Sequence, residues 1–146
     1  MAEYSYPLVQ TVAEDENIIF LDGDRCCKKG YITHRSGSGV FRLKGATNGC
    51  KAVYRVTFNG NIAVSAAADG GVLGEISVAL QEDGETLQNA VATVVPAAIG
   101  DAFNVSLTTF IIIPCGCCVT VSVENISDSG SAIDVTNANI IFDRVA

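Results

Sequence analysis

The sequence has no tryptophan, one histidine, one methionine and three prolines in 146 residues, and only 17% of its residues are charged. With His34 as its one histidine and no nucleophile-elbow pattern, no catalytic triad is expected, and the chain is predicted not to be an enzyme. No apolar run reaches the roughly 18 residues that a membrane-spanning helix needs. The absence of tryptophan favours a structural role over a recognition module, which should expose large aromatic side chains.

The chain is long enough for one domain with a real core. Its first residues, MAEYSYPLVQTVAEDEN, lack a basic start followed by an apolar stretch, so no signal peptide is expected and folding in a reducing cytoplasm is predicted. Hydrophobic residues make up 49% of the chain, which is high for a soluble protein. This composition predicts burial between copies as well as within one copy.

The charge of −7 is unevenly distributed along the chain. Residues 1–55 carry a net charge of +2, whereas residues 56–146 carry −9 with Arg144 as their only base. A body this acidic excludes binding to nucleic acid through its phosphates. The basic part is either a docking surface for an acidic partner or a solvated face.

Strand signals dominate, because β-branched residues alternate with polar ones between clusters of glycine, asparagine and aspartate. Ten strands are predicted, at Leu8–Val12, Ile18–Leu21, Tyr31–Arg35, Gly39–Lys44, Lys51–Val64, Val72–Glu82, Glu85–Val95, Ala102–Ile113, Cys117–Asn125 and Ala132–Arg144. Asp83–Gly84 predicts a type I′ hairpin turn. No helix is expected, and the fold class is an all-β antiparallel sandwich or barrel. Residues 1–50 are predicted to form a strand-rich arm or flap, and 51–146 the body of one domain.

The body resembles the jelly-roll trimers of the C1q/tumour-necrosis-factor type. The resemblance rests on YRVTFNGNIAVSA, GEISVALQEDGETL, FNVSLTTFIIIPCGCCVTVSVENIS and AIDVTNANIIFDRVA, taken in that order. It implies an antiparallel jelly-roll sandwich that assembles as a homotrimer. The chain lacks the collagen-like Gly-X-Y stalk that some members carry, and the cysteine cluster is not part of the family pattern.

The whole chain, with PLVQTVAEDENIIF and GYITHRSGSGVFRLKG, also resembles small virion structural proteins of Firmicutes tailed phages and prophages. That resemblance implies a head-decoration or fibre-type role, location in the virion and assembly in the bacterial host cytoplasm. A phage capsid decoration (cement) protein that binds the major capsid protein as a homotrimer is therefore expected. The alternative is a fibre, receptor-binding or glycan-binding module, because fold does not fix function.

Some strands have no polar side, which indicates burial on both faces. FIIIP carries Phe110 and Ile112 on one side and Ile111 and Ile113 on the other. Ile141 has the same setting near the end of the chain. Phe110, Ile111, Ile113 and Ile141 are the predicted trimer interface; the alternative is that the N-terminal arm covers these faces.

The six cysteines are Cys26, Cys27, Cys50, Cys115, Cys117 and Cys118. Their spacing is adjacent or one apart, which argues against a standard zinc site, and no C-x-x-C pair is present. Disulfides within or between subunits are an alternative. The favoured interpretation is a strand-turn-strand corner whose thiols fill space as small apolar groups. No metal ion or cofactor is expected.

The candidate residues for docking on a capsid are basic, since capsid exteriors are commonly acidic. They are Arg25, Lys28, Lys29, Arg35, Arg42 and Lys44. Asp22 and Asp24 could chelate calcium, but their loop lacks further oxygen ligands, so a turn is expected there. His34 is predicted to be a polar residue at the end of a strand.

Overall fold

A computed structural model describes residues 2–22, 31–45, 51–65, 73–128 and 132–145 of the chain. Within these residues every regular element is a strand, and no helix is long and apolar enough to cross a membrane. The strands are β1 (Ala2–Tyr6), β2 (Gln10–Val12), β3 (Leu21–Asp22), β4 (Ile32–His34), β5 (Phe41–Lys44), β6 (Ala52–Val64), β7 (Ile76–Glu82), β8 (Glu85–Val94), β9 (Phe103–Ile113), β10 (Cys118–Asn125) and β11 (Ile133–Arg144).

The strands form two antiparallel sheets packed as a jelly-roll sandwich. Sheet A has the order β3-β1-β11-β6-β9, with β2 also paired to β11. Sheet B has the order β4-β5-β10-β7-β8. Consecutive strands often lie in different sheets, so most of the pairing joins distant parts of the chain. The predicted fold class is confirmed.

Alternation along the strands places one set of side chains between the sheets. In β9, Val105, Leu107, Thr109 and Ile111 are buried, whereas Ser106, Thr108 and Phe110, which alternate with them, are exposed. An aromatic cluster fills the β1–β5 side of the core, where the Phe41 ring lies 4.8 Å from Tyr4 and 4.8 Å from Phe142, centroid to centroid. These rings join both sheets, because β5 belongs to sheet B and β1 and β11 to sheet A.

The predicted strands from residue 51 onwards agree with the observed ones to within a few residues. The tight hairpin at Asp83–Gly84 is confirmed, since both residues have positive φ, 52° and 83°. β1 at Ala2–Tyr6 was not predicted, and the predicted strand Leu8–Val12 is limited to Gln10–Val12. Of the predicted strand Ile18–Leu21, only Leu21 lies in a strand, β3.

The described parts of residues 1–50 supply strands to both sheets. β1, β2 and β3 lie in sheet A, and β4 and β5 lie in sheet B. Between them, the backbone N–H of Ile18 donates to the carbonyl of Val123, and Asn17 forms a bridge to Glu124. The segment predicted as an arm therefore completes both sheets of one sandwich.

Candidate functional site

The surface with the most distinctive composition is the side of sheet A that points away from sheet B. We refer to it as the outer face of sheet A. On the three longest strands it consists of Val53, Arg55, Thr57, Asn59 and Asn61 on β6, Asn104, Ser106, Thr108, Phe110 and Ile112 on β9, and Asp134, Thr136, Asn139, Ile141 and Asp143 on β11. The shorter β1 and β2 add Glu3, Ser5 and Thr11.

One corner of this face is apolar. Phe110 and Ile112 are 60% and 54% exposed, and Ile112 lies directly opposite Val53. Val145 is also exposed, and its backbone N–H donates to the carbonyl of Val53. We name these four residues (Val53, Phe110, Ile112 and Val145) the apolar corner. Side chains of this size gain free energy when another surface covers them.

An ion pair lies beside the apolar corner. Arg55 Nη2 is 3.0 Å from Asp143 Oδ2, and Arg55 is the direct neighbour of Phe110 across the strands. Both side chains remain partly open to solvent. An exposed pair of this kind adds little to the stability of one chain, but it places matched charges next to an apolar contact area.

The rest of the outer face of sheet A carries mostly amides and hydroxyls. Asn104 Nδ2 donates to Asn61 Oδ1 at 3.2 Å, and Thr108 Oγ1 donates to Thr57 Oγ1 at 3.4 Å. Asn59 has Ser106 as its neighbour on β9. The result is a largely uncharged polar surface that can hydrogen-bond with a partner.

The predicted trimer-interface residues divide between the inside and the outside of the sandwich. Phe110 is on the outer face, where Ile141 is half-buried, but Ile111 and Ile113 are 1% and 0% exposed. For Ile111 and Ile113 the prediction is corrected, because both side chains fill the core of a single copy. Ile112 takes their place on the surface, and the interface itself stays a prediction.

The sequence contained the signal that would have found Ile112. Asn104, Ser106 and Thr108 share one side of β9, and continuing their alternation places Phe110 and Ile112 on that same side. When the first part of a strand has polar residues at alternate positions, the same alternation shows which apolar residues in its last part point outward.

The described cysteines lie where the chain passes from sheet A to sheet B. The turn after β9 has Gly116 at φ 74°, and the backbone N–H of Cys117 donates to the carbonyl of Pro114. The predicted strand-turn-strand corner is confirmed. Cys115, Cys117 and Cys118 are exposed, which corrects the expectation that they fill apolar space. Cys26, Cys27 and Cys50 lie outside the described residues.

The neighbour of this turn is the end of β5. Gly45 donates its backbone N–H to the Cys117 carbonyl at 2.9 Å, and Lys44 is paired in register with Cys118. A Cβ atom on Gly45 would lie 2.6 Å from the Pro114 carbonyl oxygen, so the close approach requires glycine. Among the residues that the structure describes, no group of three potential metal ligands comes together.

The basic candidates for docking that the structure describes are Arg35, Arg42 and Lys44, and all three are exposed. Arg42 and Lys44 occupy alternate positions of β5 and point outward from sheet B, whereas Arg35 follows β4. They are thus on the sheet opposite to the apolar corner. Arg25, Lys28 and Lys29 lie outside the described residues, as does Asp24.

His34 ends β4, as predicted, but its side chain is fully buried. Its ring stacks on Phe41 at 4.2 Å, its Nδ1 lies 2.6 Å from Asp22 Oδ1, and its Nε2 lies 2.8 Å from the Ser38 carbonyl. Because Asp22 is on β3 and His34 on β4, this contact ties the edges of the two sheets together. The Asp22 backbone N–H also donates to Ser36 Oγ at 3.2 Å, so the contacts of Asp22 join β3 to the β4–β5 connection as well.

Two carboxylates on sheet B have raised pKa values. Burial raises the pKa of Glu82, and the nearby carboxylate of Asp83 adds to the effect. Burial also raises the pKa of Glu124, although a hydrogen bond with Gln81 partly opposes it, and Asp15 raises it further. Both side chains are more easily protonated in the folded chain than in the unfolded one.

These shifts predict that the contribution of Glu82 and Glu124 to stability increases as the pH falls from about 7 to about 4, below the ordinary pKa of glutamate. A carboxyl group whose pKa is raised by folding favours the folded state when protonated, and that contribution is lost as the pH rises through the folded pKa. Denaturant titrations at both pH values measure the effect. Glu82→Gln/Glu124→Gln should flatten the dependence, whereas Glu75→Gln, at an exposed position, should retain it. A slope that is unchanged in the double variant would contradict the assignment.

Comparisons with known proteins add likenesses of fold. No family model matches the chain, and no curated protein matches it either. Rabbit GITRL, a ligand of the tumour-necrosis-factor family, is 13% identical with a TM-score of 0.38, over 77% of this chain and 76% of the other. The CBM22-1 xylan-binding domain of Xyn10C from Paenibacillus barcinonensis is 14% identical with a TM-score of 0.41, over 99% and 94%.

Proposed function

We propose that this chain is a non-enzymatic structural protein of a phage virion, which assembles as a homotrimer and decorates the outside of the head. The observation that carries the proposal is the apolar corner, where Phe110 and Ile112 are more than half exposed at 60% and 54%. Other copies of the chain would cover it, and a closed three-fold ring does so with one repeated contact. The resemblance of the sequence to small virion proteins supports the phage setting.

The two sheets would then have separate tasks. The outer face of sheet A would meet neighbouring copies, and sheet B would stay accessible with Arg42 and Lys44 pointing outward. Together with Arg35 these bases suit an acidic capsid exterior. Each trimer would span adjacent copies of the major capsid protein, and its binding would stabilise the assembled shell by mass action.

A second function is favoured by a different observation, the amides and hydroxyls on the outer face of sheet A. Asn59, Asn61 and Asn104 form an uncharged hydrogen-bonding surface on the same face of sheet A as the exposed ring of Phe110. A neutral glycan combines hydroxyl groups with apolar ring faces, so such a surface suits it. A jelly-roll sandwich is compatible with a binding module as well as with a structural protein.

One experiment separates the two functions. The purified protein is added to heads that lack it, from the phage that encodes it, and in parallel to immobilised neutral polysaccharides. We expect retention on the heads after sedimentation, reduced at least about 10-fold by Arg35→Glu/Arg42→Glu, since charge reversal opposes an acidic surface. Retention by a polysaccharide alone, lost in Asn59→Ala/Asn104→Ala, would instead support the glycan-binding module.

A further inference from the structure

The two ends of the sandwich differ in charge. At one end β6 and β10 finish and β7 begins. Among the residues that the structure describes, the exposed charged side chains at this end are all acidic. We name it the acidic end: Glu14, Asp15, Glu16, Glu75, Asp101 and Asp128, all exposed. Backbone contacts place them there, since Asp15 donates its N–H to the carbonyl of Asn125, the last residue of β10.

The acidic end also exposes large apolar side chains. Val95 is 69% exposed, Leu73 and Ile99 are each 47% exposed, and Phe103 is 38% exposed. Val95 directly follows the last residue of β8. Ile99 is followed by Gly100, whose backbone N–H donates to the Val64 carbonyl at the end of β6. Water-exposed apolar groups surrounded by charges of one sign are typical of a surface that meets a partner.

Part of the opposite end, on the side of β4, β5 and β11, carries bases. We name it the basic end: Tyr31, Lys44, Lys51, Arg144 and Val145. The Arg144 guanidinium lies 5.3 Å from the centre of the Tyr31 ring, and the backbone N–H of Lys44 donates to the Tyr31 carbonyl. Tyr31 and Val145 are 43% and 46% exposed. An arginine stacked on an exposed tyrosine is a combination frequent at the centre of protein interfaces.

The β7–β8 hairpin brings the acidic residues Glu82, Asp83 and Glu85 to the same end of the molecule as Lys44. In the strand order of sheet B, β10 separates this hairpin from β5. Asp83 is held there, because its Oδ1 accepts hydrogen bonds from Thr120. Because these acids occupy the β7–β8 side of this end, the basic residues are confined to the side formed by β4, β5 and β11.

We propose that copies of this protein associate end to end, with the basic end of one unit docked on the acidic end of the next. The occupant of each end is a second copy of this chain, because the bases on the β4, β5 and β11 side of one end are opposite in charge to the acidic end, and both surfaces expose large side chains with apolar parts. A contact between two different surfaces leaves a free end on each side, so it continues as a linear stack. The basic end and the apolar corner share Val145 but otherwise consist of different residues, and the end-to-end contact goes beyond the proposed function.

The physical consequence is strong dependence on salt. The net charge of −7 repels whole copies, but at physiological ionic strength charges interact only over about 8 Å. The contacting ends then dominate the interaction. We expect the dissociation constant of the stack to rise at least about 10-fold between a low-salt condition of roughly 100 mM and roughly 500 mM, because the repulsion between whole copies is already screened at both.

Sedimentation velocity over a range of protein and salt concentrations tests the proposal. At low salt we expect masses at integer multiples of a base unit, increasing with concentration. Lys44→Glu/Arg144→Glu should prevent stacking, as should Glu14→Lys/Glu16→Lys at the other end. An equimolar mixture of these two variants should associate again, because each variant then meets an end of opposite charge.

The matched control is Arg35→Glu/Arg42→Glu, which makes the same change in charge on the side of the sandwich and should leave stacking intact. Val95→Ser/Ile99→Ser tests the apolar part and should weaken stacking without any change in charge. A mass that does not depend on protein concentration at low salt overturns the proposal. So does an equal loss of stacking in the Arg35→Glu/Arg42→Glu control, or failure of the equimolar mixture of the two charge-reversed variants to associate. The mass of the base unit at high salt reports separately on the homotrimer.

Discussion

Substitution of Phe110 and Ile112 by aspartate is expected to convert the proposed homotrimer into a monomer. Covering each of these side chains contributes roughly 1.5–3 kcal/mol, and a carboxylate at either position would have to be desolvated on assembly. Because both side chains are already exposed in one copy, the substitutions should leave the sandwich folded. We expect the dissociation constant to rise at least about 100-fold.

Light scattering after size exclusion measures this change, and circular dichroism verifies the fold. The control is Thr33→Asp/Gln88→Asp, two exposed positions of sheet B that receive the same added charge and should leave the trimer unchanged. A parent chain that is monomeric at high concentration would contradict the trimer. Persistence of the trimer in the Phe110→Asp/Ile112→Asp variant would place its interface elsewhere.

Phe41→Ala is expected to reduce the free energy of unfolding by about 3–5 kcal/mol, the largest single effect on stability that we predict. Phe41 is fully buried, and its ring contacts those of Tyr4, His34 and Phe142. These residues come from four strands of both sheets, so the cavity left by alanine would lie at the point where the sheets are joined.

Urea denaturation of the parent and variant chains measures the loss. Phe103→Ala serves as the comparison, because that ring is 38% exposed and its removal should cost only on the order of 1 kcal/mol. If Phe41→Ala does not fold, Phe41→Leu retains most of the volume and should lose about 1–2 kcal/mol. Equal losses for Phe41 and Phe103 would show that the aromatic cluster is not central to stability.

The fold class and most strands could be predicted from the sequence because the information is local. Alternation, β-branched residues and the Asp83–Gly84 turn are all read within a few neighbouring positions. β1 could not be predicted in this way, because Ala2 and Tyr4 are stabilised by pairing with Phe142 and Ile140 at the other end of the chain. Five residues of modest strand propensity carry little signal of their own.

The candidate site was predicted only in part, for two physical reasons. In an apolar run such as FIIIP both sides look alike, so the inward side is decided by the rest of the strand, and Ile111 and Ile113 were misplaced. The burial of His34 depends on Asp22 and Phe41, which come from other strands. Exposure of Cys117 and Cys118 depends on the turn that Gly116 allows, and composition does not specify it.

The pairing of β1 with β11 also determines the order in which the sandwich can form. β1 can pair with the nearby β3, but Ala2 lies opposite Phe142, so its pairing with β11 requires nearly all of the sandwich to have been synthesised. Loop closure over such a distance is slow, and folding rates fall as contacts become less local. Completion of sheet A is therefore a late step in the folding of the sandwich, because β11 joins β1 to β6.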